Sequence, residues 1–566
     1  MFVGNVKKVS EGLLHSVRGL AVVALVALLS VGFVGCSSLG SSGGSSKNSG
    51  GSADVSQAMD FEYTDRDCDP SYDADTATVL DLAAGTVEGS GATYDADQAR
   101  FEVQQEGTYL LQGKSDGVQV KVALGDEEKT QLVFNNADLS TTDRPALYVE
   151  SGDKVFVTLA EGSQNSMAGG QTDNDTDALN GVVYSKSDIT FNGNGALTVN
   201  TTAQDCHGII SKDDLVITGG TYVISATDNG LHGKDCVKIR DGAFTIEAGN
   251  DAIKSSNQEE ANCGFIALDG GTIEVTDCEE GYEAREIYLN GGKSTITARD
   301  DAINASASEN TSGRECFIQI NGGQLVIYAD GDGIDSNGSL EINDGTIFVS
   351  GPSNAANSAL DYESEATING GTVLAAGPAG MACGFTGGSQ GSALVDFQGG
   401  ADQTLTLSTS DGSVLAEFVP VHAYQTVVVS SPNLALGDTF TLTSGSSHVE
   451  GTVAETSAGK GFGGPGAGGT GAGAGNVPGA GAGEPGAGNA PGAGGPSVGN
   501  TPGVGNDSAS GRPRSGNTPS AGSPGAGGSD AGAGGPGVSN GSNAAPSGAG
   551  NASGNSTGVG NSGSVV

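Results

Sequence analysis

Between residues 195 and 375 the chain alternates apolar and polar positions in short bursts, each opened by a glycine. The glycines are Gly195, Gly220, Gly242, Gly271, Gly292, Gly323, Gly345 and Gly371. The second residue after each is Leu197, Tyr222, Phe244, Ile273, Ser294, Leu325, Ile347 or Val373. Two further on stand Val199, Ile224, Ile246, Val275, Ile296, Ile327, Val349 and Ala375. The position between them is mixed. A period of two with one apolar side predicts a strand after every glycine. Glycine suits the turn before it, because it accepts positive φ without a Cβ clash.

A second burst precedes the glycines, with inward pairs Leu215/Ile217, Val237/Ile239, Ile266/Leu268, Ile287/Leu289, Ile318/Ile320 and Leu340/Ile342. A third, shorter one carries a single inward residue: Leu179, Ile209, Leu231, Ile253, Tyr282, Ile303, Ile334 or Leu360. No segment holds a 3.6-residue period over three turns, which excludes helices. The glycines recur every 21 to 31 residues, and the excess over the shortest spacing reads as inserted loops. Repeats of this size bury their apolar face against neighbouring copies. The expected fold is all-β: a right-handed parallel β-helix, a solenoid with three strands per coil, closed by N- and C-terminal β caps. The N-terminal cap is expected over 59–165, the β-helix over 166–380 and a C-terminal β segment over 381–456.

Composition changes the picture at the two ends. Residues 1–35 carry Lys7, Lys8 and Arg18 before an apolar run that ends at Cys36, the form of a lipoprotein signal peptide. Its last residues, FVGC, resemble a bacterial lipobox, which implies lipidation of Cys36. The expected location is therefore the extracellular face of the cell membrane, with the chain lipid-anchored. An uncleaved transmembrane anchor is the alternative reading. Residues 36–58 are a Ser/Gly linker. Residues 457–566 are Gly, Ala, Pro, Ser and Asn with little charge, and are expected to be disordered. Seven cysteines remain: Cys68, Cys206, Cys236, Cys263, Cys278, Cys316 and Cys383. The odd number leaves at least one thiol out of any intramolecular pairing.

The chain has 24 basic and 67 acidic residues and a formal net charge of -43. That excludes nucleic acid as a partner, since phosphate binding needs clustered Lys and Arg. The acids are not scattered. Aligned on the third strand, a short motif recurs as DALN at Asp177, NGLH at Asn229, DAIK at Asp251, EGYE at Glu280, DAIN at Asp301, DGID at Asp332 and SALD at Ser358. The run ADGDGIDSNG, residues 329–338, is one copy. It is not an EF-hand, because Ile334 stands where that loop needs an oxygen ligand. It matches the core of a nonapeptide calcium repeat, yet no copy follows at nine residues.

Strands of neighbouring coils lie about 4.8 Å apart. Two carboxylates at that distance repel by about 1 kcal/mol in water and about 3.5 kcal/mol at an effective dielectric of 20. Calcium takes six to eight oxygens at about 2.3–2.6 Å, so two oxygens across one ion span about the same distance. The candidate calcium ligands are Glu283, Asn304, Asp335 and Asp361, which point away from the core, with Asp251, Glu280, Asp301 and Asp332 at the bend adding backbone or side-chain oxygens. The alternative is a metal-free ladder of Asx side chains, with Lys254 and Glu283 a plain salt bridge. His207 and His232 lie in the same turns and read as satisfied surface histidines. Val326, Tyr328, Phe348 and Leu374 form an outward strip, suited either to sugar stacking or to packing beneath the C-terminal segment.

Several stretches together resemble a family of secreted bacterial carbohydrate-binding β-helix proteins, pectate-lyase-like in architecture. They are EGTYLLQG (106–113), ALYVESGDKVFVTLAEGSQN (146–165), SKSDITFNGNGALTV (185–199), HGIISKDDLVITGGTYVISATDNGLHGKDCVKIRDG (207–242) and FVPVHAYQTVVVSSPNLALGDTFTL (418–442). The resemblance implies binding of cellulose, pectic acid and calcium, and brings no catalytic set with it. The expected function is a monomeric surface lipoprotein holding an acidic polysaccharide, of polygalacturonate type or possibly cellulose, bridged by Ca2+. The alternatives are a calcium-dependent polysaccharide lyase and a structural adhesin. A lyase needs a basic side chain to take the proton beside the uronate carboxylate, and Lys254, Arg285, Arg299 and Arg314 are the candidates.

Overall fold

A computed structural model describes residues 60–171, 178–307 and 314–459. The signal segment, Cys36, the linker, Asp177 of the first acidic copy and the chain from Lys460 onward lie outside the described residues. Among the described residues the only α-helix is a single turn, Asp65–Cys68. Almost everything else regular is β.

The strands form three parallel ladders. The first runs through Ala196–Thr201, Thr221–Ala226, Ala243–Ala248, Thr272–Asp277, Lys293–Ala298, Gln324–Ala329, Thr346–Ser350 and Thr372–Gly377. These are the strands expected after the glycines, and their apolar columns stand in register: Leu197 opposite Tyr222, Tyr222 opposite Phe244, Ile327 opposite Val349. The second ladder links Asp188–Gly193, Asp214–Ile217, Cys236–Ile239, Phe265–Leu268, Glu286–Leu289, Cys316–Ile320, Gly338–Ile342 and Ala366–Ile368. The third links Gly181–Ser185, His207–Ser211, Leu231–Gly233, Ile253–Ser255, Tyr282–Ala284, Ile303–Ala305, Ile334–Ser336 and Leu360–Tyr362.

Inward residues of all three ladders fuse into one apolar core running from Leu80 to Val428. Ser294, the polar exception in the first ladder, is explained by size. Tyr282 projects inward from the third ladder of the same repeat, and its hydroxyl donates to Ser294 Oγ at 2.9 Å. A large and a small residue share one volume, and the buried hydroxyl is satisfied. Gly323 shows why the turns need glycine: φ is +83°, and a Cβ there would lie 2.7 Å from the Gly292 carbonyl oxygen.

One register differs from expectation. Val183, not Leu179, stands opposite Ile209, and Tyr184, not Asn180, stands opposite Ile210. Leu179 lies outside any strand, half-buried against Tyr148, Tyr184 and Ile210. The likeness of DALN to the other copies is local; the β-branched pair Val182 and Val183 fits the strand better.

Parallel pairing begins before the glycine repeats. Gly107–Asp116 pairs with both Thr78–Asp81 and Lys129–Ser140. Lys129–Ser140 is long enough to pair with Lys154–Leu159 through its first half and Gln164–Gly169 through its second. At the other end Tyr424–Ser430 runs antiparallel to Thr372–Gly377. A four-stranded antiparallel sheet follows, built from Leu405–Thr409, Val414–Phe418, Thr439–Ser444 and Ser447–Thr452. Phe418 stacks on Tyr328 and Phe348 with ring centroids 6.0 and 5.4 Å away, and Leu374 is fully buried. The outward strip therefore packs beneath the C-terminal segment rather than facing sugar.

Residues 60–69 lie across the outside of the second ladder. Phe61 packs edge-on against Phe265 and Tyr288. Asp67 pairs with Lys154 at 2.8 Å and accepts from the Thr190 hydroxyl at 2.6 Å. Burial works against its charge, but the hydrogen bonds from Lys154, Thr190 and Thr64 hold the carboxyl down at about 2.

Candidate metal centre

In four three-residue strands of the third ladder the outer residues face the core and the middle one faces out. This burial pattern repeats in Leu231–Gly233, Ile253–Ser255, Tyr282–Ala284 and Ile334–Ser336. Register then stacks the outward residues in one file: Tyr148, Tyr184, Ile210, His232, Lys254, Glu283, Asn304, Asp335 and Asp361. The bend residues Asp251, Glu280, Asp301 and Asp332 stack beside it, because each backbone carbonyl accepts an N–H of the preceding repeat. Those carbonyls are thus already hydrogen-bonded, and the side chains are what the bend offers.

Two triads of carboxylates result, each with its ligand oxygens within 4.8 Å of one another: Asp251, Glu280 and Glu283, and Asp301, Asp332 and Asp335. They differ in one respect. Lys254 sits in the first, donating to Asp251 Oδ2 at 2.7 Å and to Glu283. Burial opposes the charge of Glu283, yet Lys254 beside it holds that carboxyl below its ordinary range. The same two carboxylates push the ammonium of Lys254 well above its ordinary value, against the effect of its burial. The first triad already contains a cation, and the salt-bridge reading of Lys254 and Glu283 holds there.

No ion pair reaches Asp301, Asp332, Asp335 or Asp361 among the described residues. Burial, then the neighbouring acids, pushes Asp335 and Asp332 up to about 7, and burial pushes Asp301 up to about 6. Glu280, in the first triad, is pushed up to about 8 by burial and by Glu283 and Asp251. Backbone N–H groups satisfy part of the second set: Asp332 donates to Asp301 Oδ1 at 2.6 Å, Ser358 donates to Asp332, and Tyr362 donates to Asp361 Oδ1 at 2.8 Å. Asn304 bridges the sets, its Nδ2 donating to Glu280 Oε2 at 3.2 Å. Its Oδ1 is buried and accepts no hydrogen bond from the described residues.

A metal-free Asx ladder does exist in this protein, in another column. Asn369 donates to Asn343, Asn343 to Asn321, and Asn321 to Asn290, at 2.9, 2.9 and 2.7 Å. Amides both donate and accept, so they chain without help. Carboxylates only accept, so the second triad needs a proton or a cation.

The two histidines are less exposed than expected. His207 is buried beside Asp228, 3.3 Å away, and the His232 ring packs edge-on against it with Nε2 2.9 Å from Ser256 Oγ. Sequence reasoning missed two further groups, Asp188 with Asp213 and Asp214, and Asp235 with Glu260 and Cys263. The recurring Lys-Asp after the third strand, in SKSD, SKDD and GKD, was the available signal.

The family of carbohydrate-binding domain-containing proteins matches residues 97–350 and 284–410, together more than half of the chain. The chain belongs to this family. All eight candidate ligands fall within the matched residues of the carbohydrate-binding domain, and Asp301, Asn304, Asp332 and Asp335 fall where the two matches overlap. A carbohydrate-binding domain-containing protein of Acetivibrio thermocellus is 27% identical over 254 residues, which is 44% of this chain and 78% of that protein. A solved structure titled as the polysaccharide lyase-like protein from C. thermocellum, gadolinium derivative, is 27% identical; the match covers 52% of this chain and 96% of that one with a TM-score of 0.36.

Proposed function

We propose that this carbohydrate-binding domain protein holds an acidic polysaccharide, of polygalacturonate or pectin type with cellulose as a further candidate, through calcium at Asp301, Asp332, Asp335 and Asn304. One observation carries the reading: among the described residues three carboxylates converge with no basic partner, beside a buried amide oxygen that accepts no hydrogen bond. The donor set fits calcium, which takes carboxylate and amide oxygens together. Asp361, next in register after Asp335, adds a further outward carboxylate. Bound there, calcium supplies a positive charge that protein and uronate carboxylates share, reversing the local sign that otherwise repels the polymer. Asp251, Glu280 and Glu283 belong to the same proposal as a second position, with Lys254 standing where a cation is needed.

The three ladders, each taking one strand per repeat, support a right-handed parallel β-helix with three strands per coil as the scaffold. The proposal includes lipidation of Cys36 and display of a monomer on the outer face of the membrane.

A lyase is the less supported reading, because each candidate base is engaged. Lys254 is paired twice. Arg285 is fully buried and donates to the carbonyls of Arg314 and Gln258. Arg299 pairs with Asp277, and Arg314 with Glu286. Incubating the protein with polygalacturonate and calcium tests this: a binder leaves ultraviolet absorbance flat while retaining polymer, whereas a rise from an unsaturated product would overturn the binding reading in favour of the lyase.

A further inference from the structure

The column that carries the Asn ladder in the later repeats reads Thr158, Asn192 and Thr218 in the earlier ones. There it holds another piece of chain instead. Asn192 Nδ2 donates to the carbonyls of Asp67 and Asp69 at 3.2 and 3.4 Å, and the Thr218 hydroxyl donates to Asp67 O at 2.6 Å. Gln131 Nε2 donates to Ser71 O at 3.2 Å. These bonds fix Pro70, Ser71 and Tyr72 beside the turns that join the second ladder to the first.

A cavity of about 550 Å³ lies between the two, lined by Pro70, Tyr72, Asn135, Glu161 and Asn194 among others. That size falls in the range of about 300–1,000 Å³ usual for small-ligand sites. Backbone donors on its floor are committed to the coil: Ala160 N–H to Phe134 O, and Gly195 N–H to Leu159 O. Gly193 has φ +93°, and a Cβ there would lie 2.2 Å from Leu159 O, so the turn packs tightly and leaves the space above it open.

Side chains supply the polar groups. Asn135 Oδ1 accepts from the adjacent Asn136 at 3.1 Å. Among the described residues no hydrogen bond reaches the Asn194 amide, the Glu161 carboxylate or the Tyr72 hydroxyl. Asn194 and Glu161 are exposed, while Tyr72 is half-buried and seated against Leu110, Val133 and Ala160. Later in the fold the amides of Asn321 and Asn343 close on their neighbours; Asn194 does not.

This chemistry complements one ligand class. A pyranose carries hydroxyls around its edge and C–H groups on its faces. Amides donate and accept together, which suits adjacent hydroxyls, and a carboxylate accepts from a hydroxyl. Tyrosine offers an apolar body with a polar tip. Glu161 repels a second carboxylate, so the sugar that fits is neutral.

We propose that the cavity between Tyr72 and the turns at Asn135, Glu161 and Asn194 binds a neutral pyranose unit. The contact needs neither calcium nor a uronate carboxylate. It lies at the turns between the second and first ladders, whereas the acids lie on the third.

The test uses the whole protein in excess chelator. The probes are methyl β-glucopyranoside and methyl β-galactopyranoside, with methyl β-glucuronide as the charged counterpart. Saturation-transfer NMR titrations compare wild type, Asn194→Ala, Tyr72→Leu and Glu161→Gln. Wild type is expected to bind at least one neutral glycoside saturably, and the glucuronide roughly fivefold more weakly. Asn194→Ala and Tyr72→Leu should each lose roughly three- to tenfold in affinity. Glu161→Gln should narrow the gap between neutral and charged sugar. Asn194→Ala sits on an exposed turn and removes no hydrogen bond of the fold, so its loss cannot come from unfolding. No saturable binding of either neutral glycoside overturns the proposal. Unchanged affinity in both Asn194→Ala and Tyr72→Leu overturns it too, as does equal binding of the glucuronide. The calcium reading stands or falls apart from this result, because these titrations contain neither calcium nor polymer.

Discussion

Lys254 and Glu283 face each other across adjacent strands of the third ladder, and the same ammonium reaches back to the buried Asp251. The lysine is the built-in cation of the first carboxylate triad. Removing one partner of a part-buried pair leaves the other charges uncompensated, at a cost of about 2–3 kcal/mol. Lys254→Met is expected to melt earlier than wild type in chelator by that amount and to recover part of the loss in calcium. An unchanged melting temperature in chelator would show that the pair contributes nothing.

Among the described residues the second triad has no such lysine. Asp335→Asn and Asp301→Asn each remove a charge from the proposed ion site and leave a side chain of the same size. Calcium affinity measured by titration calorimetry is expected to fall at least tenfold in either variant, because ligand charge count sets affinity in oxygen sites. Both variants should melt no earlier than wild type in chelator, since a repelling carboxylate is gone. Wild-type calcium affinity in both would remove these residues from the ligand set.

The pH dependence follows from the raised carboxyls. Burial pushes Asp301 up to about 6, and burial with the neighbouring acids pushes Asp332 and Asp335 up to about 7, from an ordinary value of 3.8. The folded state then binds these protons more tightly than the unfolded state. Their stabilising contribution is full below about pH 4 and is lost as pH rises through 6 to 7. The metal-free protein is expected to melt earlier at pH 8 than at pH 5 through this region. Metal binding needs the deprotonated ligands, so calcium should stabilise more at pH 8 than at pH 5. At a hundred times its dissociation constant it adds about 2.7 kcal/mol. Thermal melts at both pH values with and without calcium check the sign; a larger calcium effect at pH 5 would contradict it.

Much of this architecture was legible because it is periodic. The columns from Leu197 to Ala375 alternate visibly, and the glycines mark where each strand begins. Where periodicity stopped, so did the reading. Leu179 matched its copies in sequence, but the strand formed four residues later at Val183, where two valines lie together. Residues 60–69 cross the second ladder in irregular backbone, through separate side chains such as Phe61 on Phe265 and Asp67 on Lys154, and follow no period. The acid columns were readable as a stack of charge. What separates the two triads is the direction of one flexible side chain, Lys254, together with the unpartnered Oδ1 of Asn304, and neither is written in spacing.

The most direct test of the account is retention of polygalacturonate by the whole protein in calcium, after chelator, and after calcium is returned in excess. Chelator is expected to remove binding, and returned calcium to restore it in full. Binding of equal strength in all three conditions would contradict it.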